Sequence, residues 1–191
     1  MAKSIERHHT AQKLVQGRNT QAHLPYLLMF ILFACSILIY TNTLGHGFVL
    51  DDPLAIELNK HVTSGFSGII DIIKGGYREN NFGGQLYRPV SLIQFAIEWQ
   101  LSPNNPFIHH GFNVLWYAVS VVMVFLVISQ WFSKQNILFP LIVALLFAVH
   151  PVHTEVVANI KSRDEIMSMF FVLSAFWAYG NFHIKEKVFW L

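Results

Sequence analysis

The chain has 191 residues, of which 53% are hydrophobic and 13% are charged, whereas an ordinary soluble domain carries about a quarter charged residues. Its formal net charge is +2 and the basic residues form no continuous stripe, so we expect no nucleic-acid partner. The single cysteine, Cys35, excludes an intrachain disulfide and a CxxC metal or redox site. The apolar residues form blocks long enough to cross a hydrocarbon core of about 30 Å, which predicts an all-α polytopic membrane protein.

The order of polar and apolar segments predicts one membrane domain behind a short tail. Residues 1–23 are polar and basic and predict a cytoplasmic tail, and residues 24–191 predict the membrane domain. About four transmembrane spans are expected within that domain. They cover residues 24–44, 106–132, 137–150 and 165–182.

Cations near the span ends predict the orientation. The N-terminal tail, Lys134 and Lys185 fall on one side of the membrane, which the positive-inside rule makes cytoplasmic. The loops at 45–105 and 151–164 then face the periplasm, the cell exterior or the endoplasmic reticulum lumen, and they can share one site. The chain closes on an apolar Phe-Trp-Leu, which favours a fragment of a larger membrane region.

The long loop at 45–105 contains short amphipathic stretches. Those that end near Lys74 and Gln100 alternate apolar and polar residues at helical spacing. Such stretches are typical of helices that lie on a membrane surface, so we expect juxtamembrane helices in contact with lipid.

Two adjacent acids follow the first span in the stretch FVLDDPLAIELN. Carboxylates near lipid are costly, and acids at such positions are functional candidates. Asp51 is therefore a catalytic candidate. Asp52 precedes Pro53 and suits an N-cap as well as it suits catalysis.

A second polar stretch, HPVHTEVVANIKSRDE, spans residues 150–165. Read as one helix, it would place Glu155 and Asn159 on one face, which makes Glu155 a second candidate acid. His150 and His153 are suited to hydrogen bonding, proton transfer or, together with carboxylates, a divalent metal. No cofactor is required by the pattern, and interfacial hydrogen bonding is the alternative for both histidines.

Three further residues are candidates for binding substrate. Arg88 suits a phosphate because its planar guanidinium donates two hydrogen bonds at once, and a lipid-interface anchor is the alternative. His110 and Asn113 are three residues apart and share one helix face at the mouth of the second span. Their alternative is hydrogen bonding between helices. Acids beside a phosphate-binding arginine are compatible with a transferase that uses a membrane-borne phosphorylated donor, and equally with a transporter or a scaffold.

Four stretches in this order resemble the membrane half of the transmembrane-and-tetratricopeptide-repeat O-mannosyltransferase family, of the GT-C glycosyltransferase class. They are FVLDDPLAIELN, YRPVSLIQFAIEW, NPFIHHGFNVLWYA and LLFAVHPVHTEVVANIKSRDEI. The resemblance covers approximately residues 30–175. It implies transfer of a sugar, such as mannose, from a polyprenyl- or dolichyl-phosphate donor to a protein or glycan hydroxyl on the non-cytoplasmic face.

The resemblance also implies roles for the candidate residues. Asp51 and Asp52 stand where GT-C enzymes carry an essential acid in the first outward loop, which would act as general base, with Glu155 as a further acid. Arg88 would stabilise the phosphate charge. The remaining candidates for binding donor or acceptor are His110, Asn113, His150 and His153. Members of that family carry further spans and tetratricopeptide repeats, so a non-catalytic membrane scaffold with a degenerate GT-C fold is the alternative function.

Overall fold

The computed structural model describes residues 23–75 and 87–189, with side chains as far as His183. This part of the chain is helical and contains no strand, which confirms the all-α prediction. The predicted tail at 1–23 lies outside the described residues except for His23. In chain order the helices are α1 (23–40), α2 (Asp52–Ala55), α3 (Lys60–Thr63), α4 (Ile69–Lys74), α5 (Pro89–Leu101), α6 (Pro106–Trp131), α7 (Leu138–Val149), α8 (His153–Ala158) and α9 (Arg163–Phe189).

Among the described residues, two helical segments are long and apolar enough to cross a membrane. They are His23–Gly45, which is α1 with a 3-10 extension, and Pro106–Trp131, with mean hydropathies of 2.1 and 2.2. The predicted span at 137–150 is the 12-residue helix α7, which is about 18 Å long at 1.5 Å per residue. The predicted span at 165–182 lies within α9, a longer helix that carries charged residues at both ends.

Contacts with α6 set the directions of α1 and α7. The ring of Tyr40, the last residue of α1, meets the ring of Tyr117 edge-on at a centroid distance of 5.1 Å. The Tyr117 hydroxyl donates to the carbonyls of Phe147 and Ala148 near the end of α7, both at 3.1 Å. Because both helices end beside the first half of α6, both run antiparallel to it.

The last helix, α9, runs parallel to α6. Arg163 at the start of α9 bonds Asn113 near the start of α6, and Trp131 at the end of α6 stacks on Tyr179 at 6.4 Å. The described parts of the 45–105 loop and the 150–162 segment therefore lie at one end of the bundle. Their placement on one side of a membrane stays a prediction.

The bundle core lies between α6 and its neighbours. Val121 on α6 and both Ala144 and Ala148 on α7 are fully buried. The two alanines are four residues apart, and their small side chains allow α7 to approach α6 closely.

The outward face of α1 is apolar, with Phe30 at 67% and Leu38 at 68% exposure, as a lipid-facing surface requires.

The described parts of the 45–105 loop, residues 45–75 and 87–105, form a helical unit with its own core. Its buried side chains come from α2 to α5 together with Ile160 from the α8–α9 link. They are Ala55, Ile56, Val62, Ile72, Leu92, Phe95, Ala96 and Ile160. Apolar side chains on the outer surface of α2 and α4, such as Leu54 and Ile70, are exposed. The predicted short helices are present, and their contact with lipid stays a prediction.

Residues 150–165 do not form one continuous helix. The α8 helix ends at Ala158, and Asn159 has extended backbone angles of φ −97° and ψ 114°. A 3-10 turn over Ile160–Ser162 then leads into α9. The common face expected for Glu155 and Asn159 is therefore lost.

We predict that Gly68→Ala destabilises the loop unit, because a Cβ at Gly68 would lie 1.9 Å from the backbone carbonyl oxygen of His61. Forcing an atom into a packed site costs about 1–3 kcal/mol. The matched control is Gly45→Ala, where an added Cβ meets nothing within 4 Å. Thermal unfolding of the detergent-solubilised variants measures both, and equal melting temperatures for the two would contradict the prediction.

Candidate functional site

The end of the bundle that carries both loops contains a fully buried arginine. Arg163 is the first residue of α9 and is 0% exposed. Its Nε donates to Oδ1 of Asn113 at 2.7 Å and one terminal nitrogen donates to the His109 carbonyl at 2.7 Å. The other terminal nitrogen donates to the Glu98 carboxylate. The guanidinium is therefore satisfied by α5 and α6 at once.

Glu98 is the counter-charge of Arg163 and is equally buried. Its second carboxylate oxygen lies 2.5 Å from Nδ1 of His109, and the Phe95 ring lies under the Arg163 guanidinium at 4.4 Å. Removing two charges from water costs several kcal/mol per ion unless they pair closely. The Glu98–Arg163 pair therefore forces α5, α6 and α9 into one arrangement.

Asn113, a predicted substrate-binding residue, is fully buried and bonded within the protein. Besides accepting from Arg163, its amide donates to the carbonyls of Val157 at 3.3 Å and Asn159 at 2.9 Å. These are the hydrogen bonds between helices that were the alternative for this residue. They attach the α8–α9 link to the start of α6.

Asp52 is buried and joins the two loops. One carboxylate oxygen accepts the Lys161 N–H at 2.7 Å, and the other accepts the Val49 N–H at 3.1 Å. Burial raises the pKa of the Asp52 carboxyl, while these two backbone bonds lower it. The predicted N-cap role of Asp52 is wrong, because α2 begins at Asp52 and its N-cap is Asp51. The Asp51 side chain is exposed and makes no capping bond.

His110 lies beneath the segment that leads to the two acids. Its side chain is fully buried, with Nε2 at 3.4 Å from the Gly47 carbonyl and its ring 6.0 Å from that of His46. The structure therefore places His110 against the backbone of the acid loop, and its predicted role in binding substrate stays a prediction.

Arg88 lies at the edge of an open groove of about 560 Å³. Its guanidinium pairs with Asp164 on α9, and the side chains are 34% and 10% exposed. Glu165 and the apolar side chains of Met167 and Phe171 also line the groove. Charged side chains beside an apolar surface suit a ligand with both an ionic head and a hydrocarbon portion.

Glu155, His150 and His153 occupy the corner between α7 and α8. Glu155 and His150 are exposed, and the His153 ring packs on Phe147 at 4.3 Å. Burial lowers the pKa of His153, and the neighbouring His150 lowers it further. Within the described ranges, no group of three or more His, Cys, Asp or Glu side chains could hold a metal ion.

Sequence reasoning missed Glu98, Arg163 and Asp164. Glu98 carried a signal, because a lone acid between Ile97 and Trp99 in an apolar helix needs a buried partner. Its partner is 65 residues away, which no local spacing reveals. Arg163 and Asp164 looked like the solvated start of a helix.

Comparison with known proteins decides the family. Protein O-mannosyl-transferase TMTC3 of Mus musculus is 34% identical over 164 residues, which are 80% of this chain and 16% of that protein. Human protein O-mannosyl-transferases TMTC1 and TMTC4 are each 32% identical, over 79% and 81% of this chain and 18% and 23% of their own lengths. The chain belongs to the TMTC protein O-mannosyl-transferase family. It spans 16–23% of the length of these three relatives.

Family membership confirms the resemblance found in the sequence motifs. No family model and no solved structure matches the chain. Within this family segment, the motif residues converge at one end of the bundle: Asp52 meets the α8–α9 link, Asn113 meets Arg163, and Arg88 meets Asp164.

We predict that Glu98→Gln destabilises the protein by about 3–5 kcal/mol, because it leaves the buried Arg163 cation without its counter-charge. Glu165→Gln is the matched control, since Glu165 is exposed one turn into α9. Unfolding in detergent at neutral pH gives both values. Equal stability of the two variants would show that the Glu98–Arg163 pair contributes no more than a surface charge.

Proposed function

We propose that this chain carries the acid loop and donor-phosphate site of a GT-C-type glycosyltransferase. The reaction is transfer of a hexose such as mannose from a polyprenyl- or dolichyl-phosphate donor to a hydroxyl group of a protein or glycan. The observation that carries the proposal is the convergence of the motif residues, in a segment whose relatives are named protein O-mannosyl-transferases, on the end of the bundle where both loops meet.

We place this end of the bundle on the non-cytoplasmic side of a multi-pass membrane protein. Lys134 lies in the turn at the opposite end, between α6 and α7, where the positive-inside rule expects cytoplasm. In this arrangement α7 and α9 complete a four-span bundle, which makes the membrane domain of residues 24–191. The 45–105 loop then lies at the outer interface, where a lipid-linked sugar and a secreted acceptor meet.

Asp51 is the proposed general base. Its neighbour Asp52 is held by two backbone N–H bonds, so the backbone that carries Asp51 is fixed while its side chain is exposed. The Asp51 carboxylate takes the proton of the acceptor hydroxyl as its oxygen bonds to the sugar C1. The bond between C1 and the phosphate oxygen breaks, and the lipid phosphate leaves with the bonding electrons.

Arg88 is the proposed partner of the donor phosphate. About a third of its side chain is exposed at the groove, and a guanidinium bonds two phosphate oxygens at once. The apolar side chains of Met167 and Phe171 in the same groove suit the prenyl chain. Stabilising the charge on the leaving phosphate lowers the barrier to transfer.

Glu155, His150 and His153 have a different proposed role. They lie at the α7–α8 corner, and the ring contacts of His153 are with α6 and α7 side chains as well as with His150. We assign them to acceptor contact at the rim, because Glu155 and His150 are exposed there.

We predict that Asp51→Asn abolishes transfer of radiolabelled mannose from a polyprenyl-phosphate donor in membranes that contain the protein. The reason is that an amide cannot accept the acceptor proton. Asp71→Asn is the matched control, an identical change at another exposed acid of the same loop, and should retain activity. Expression and membrane insertion are measured for all three proteins.

Three outcomes of that assay separate the hypotheses. Loss in Asp51→Asn alone supports the general base. Equal activity in all three proteins removes Asp51 from the mechanism. If neither the unchanged chain nor a full-length relative with the same loop transfers the sugar, the non-catalytic scaffold is favoured.

We predict that Arg88→Lys raises the KM for the donor by about tenfold, because lysine keeps the charge but loses the two-pronged contact with phosphate. Tenfold corresponds to about 1.4 kcal/mol, close to the lower value for one hydrogen bond to a charged group. Lys134→Arg, at the far end of the bundle, is the control. An unchanged donor KM in Arg88→Lys would contradict phosphate binding at Arg88.

A further inference from the structure

Residues 161–164, here called the anchor segment, contact each part of the candidate site. The backbone N–H of Lys161 donates to Asp52. Arg163 pairs with Glu98, and Asp164 pairs with Arg88. Four consecutive residues therefore hold the acid loop on one side and the proposed phosphate-binding arginine on the other.

The anchor segment is also held from behind. Asn113 donates to the carbonyls of Val157 and Asn159, just before the segment begins. Ile160 is fully buried in the core of the loop unit, and Ser162 is 8% exposed. The break between α8 and α9 is therefore held both by Asn113 of α6 and by the core of the loop unit.

Charge burial explains why that position is well defined. An apolar residue at 163 would pack equally well in several slightly different positions, because hydrophobic contacts are not directional. The buried Arg163 needs Glu98, Asn113 and the His109 carbonyl simultaneously. Buried polar networks cost much free energy when one bond is missing, so small displacements are disfavoured.

We propose that Arg163 is a positioning residue that fixes the separation between the Asp51–Asp52 pair and Arg88 through the anchor segment. The geometric part of this inference stands without any activity. Its catalytic consequence rests on the proposed function, since a base and a phosphate-binding group must be held about the length of a sugar apart.

The geometric part is tested by measuring one distance. Spin labels are attached to introduced cysteines at Leu54 on α2 and Val90 on α5, which are 46% and 55% exposed, after Cys35→Ala. Pulsed electron spin resonance gives the distance distribution between the labels in the detergent-solubilised protein. We expect one narrow distribution in the background protein.

Two variants then perturb the network to different extents. Arg163→Lys keeps the buried charge but cannot reach three acceptors, and Asn113→Ala is milder because it leaves the Glu98–Arg163 pair intact. Ser120→Ala is the matched control, another buried polar side chain of α6, which bonds only its own helix at Trp116. Each sample is checked for a monodisperse size-exclusion peak.

The expected result is a broadened or shifted distribution in both network variants and an unchanged one in Ser120→Ala. An unchanged distribution in Arg163→Lys overturns the proposal. If Arg163→Lys does not fold, Asn113→Ala decides in the same way.

Kinetics test the catalytic consequence separately. We expect Arg163→Lys to lower kcat by roughly 10- to 100-fold, since a displacement of about 1 Å can cost 100-fold, and to raise the donor KM as well. If the variant only contained less folded protein, the apparent kcat would fall while the donor KM stayed unchanged. That result would count against positioning. If neither the background protein nor a full-length relative with the same loop shows transfer, the proposed function fails while the distance measurement still decides the geometry.

Discussion

The buried Glu98–Arg163 ion pair is the constraint on which the arrangement of the candidate site depends. It joins α5 in the long loop to α9 in the bundle, across 65 residues of chain. Neither charge tolerates this environment alone, so the loop unit and the bundle must fold together. Without the pair, Asp52 and Arg88 would still contact the Lys161 N–H and Asp164, but α5 would lose its buried ionic contact with the start of α9.

In two pairs of adjacent residues, one charged side chain is buried and the next is more accessible. Asp52 is buried and accepts two backbone hydrogen bonds, whereas Asp51 is exposed. In the same way Arg163 is buried, and the next residue, Asp164, reaches the groove. In the first pair the neighbour, Asp51, is exposed, and in the second the neighbour, Asp164, lines the groove beside Arg88. Burial of the first provides the rigidity that a reactive group needs for a defined position.

Sequence reasoning predicted the helices better than the site. Apolar blocks and Pro residues located α1, α6 and α7 within a few residues, because length and composition determine such segments locally. Neither the N-cap alternative for Asp52 nor the common helix face considered for Glu155 and Asn159 is present in the structure. In each case a contact from a distant segment, the Lys161 N–H for Asp52 and the Asn113 amide for Asn159, replaced the local preference. The pairing of Glu98 with Arg163 is also a contact between distant segments. A single sequence could therefore show only that Glu98 needed a partner.

In the proposed four-span arrangement, the shortness of α7 has a consequence for the surrounding bilayer. The carbonyls of Phe147 and Ala148 near its end accept from the Tyr117 hydroxyl, which lies nearly halfway along α6, and the chain turns at Pro151. A helix of about 18 Å cannot match a hydrocarbon core of about 30 Å. A hydrophobic stretch shorter than the hydrocarbon core is accommodated by local thinning of the bilayer, which we expect beside α7. Such a local depression would bring the water-facing boundary down toward the level of the site, where a hydrophilic sugar on a membrane-embedded carrier has to be presented.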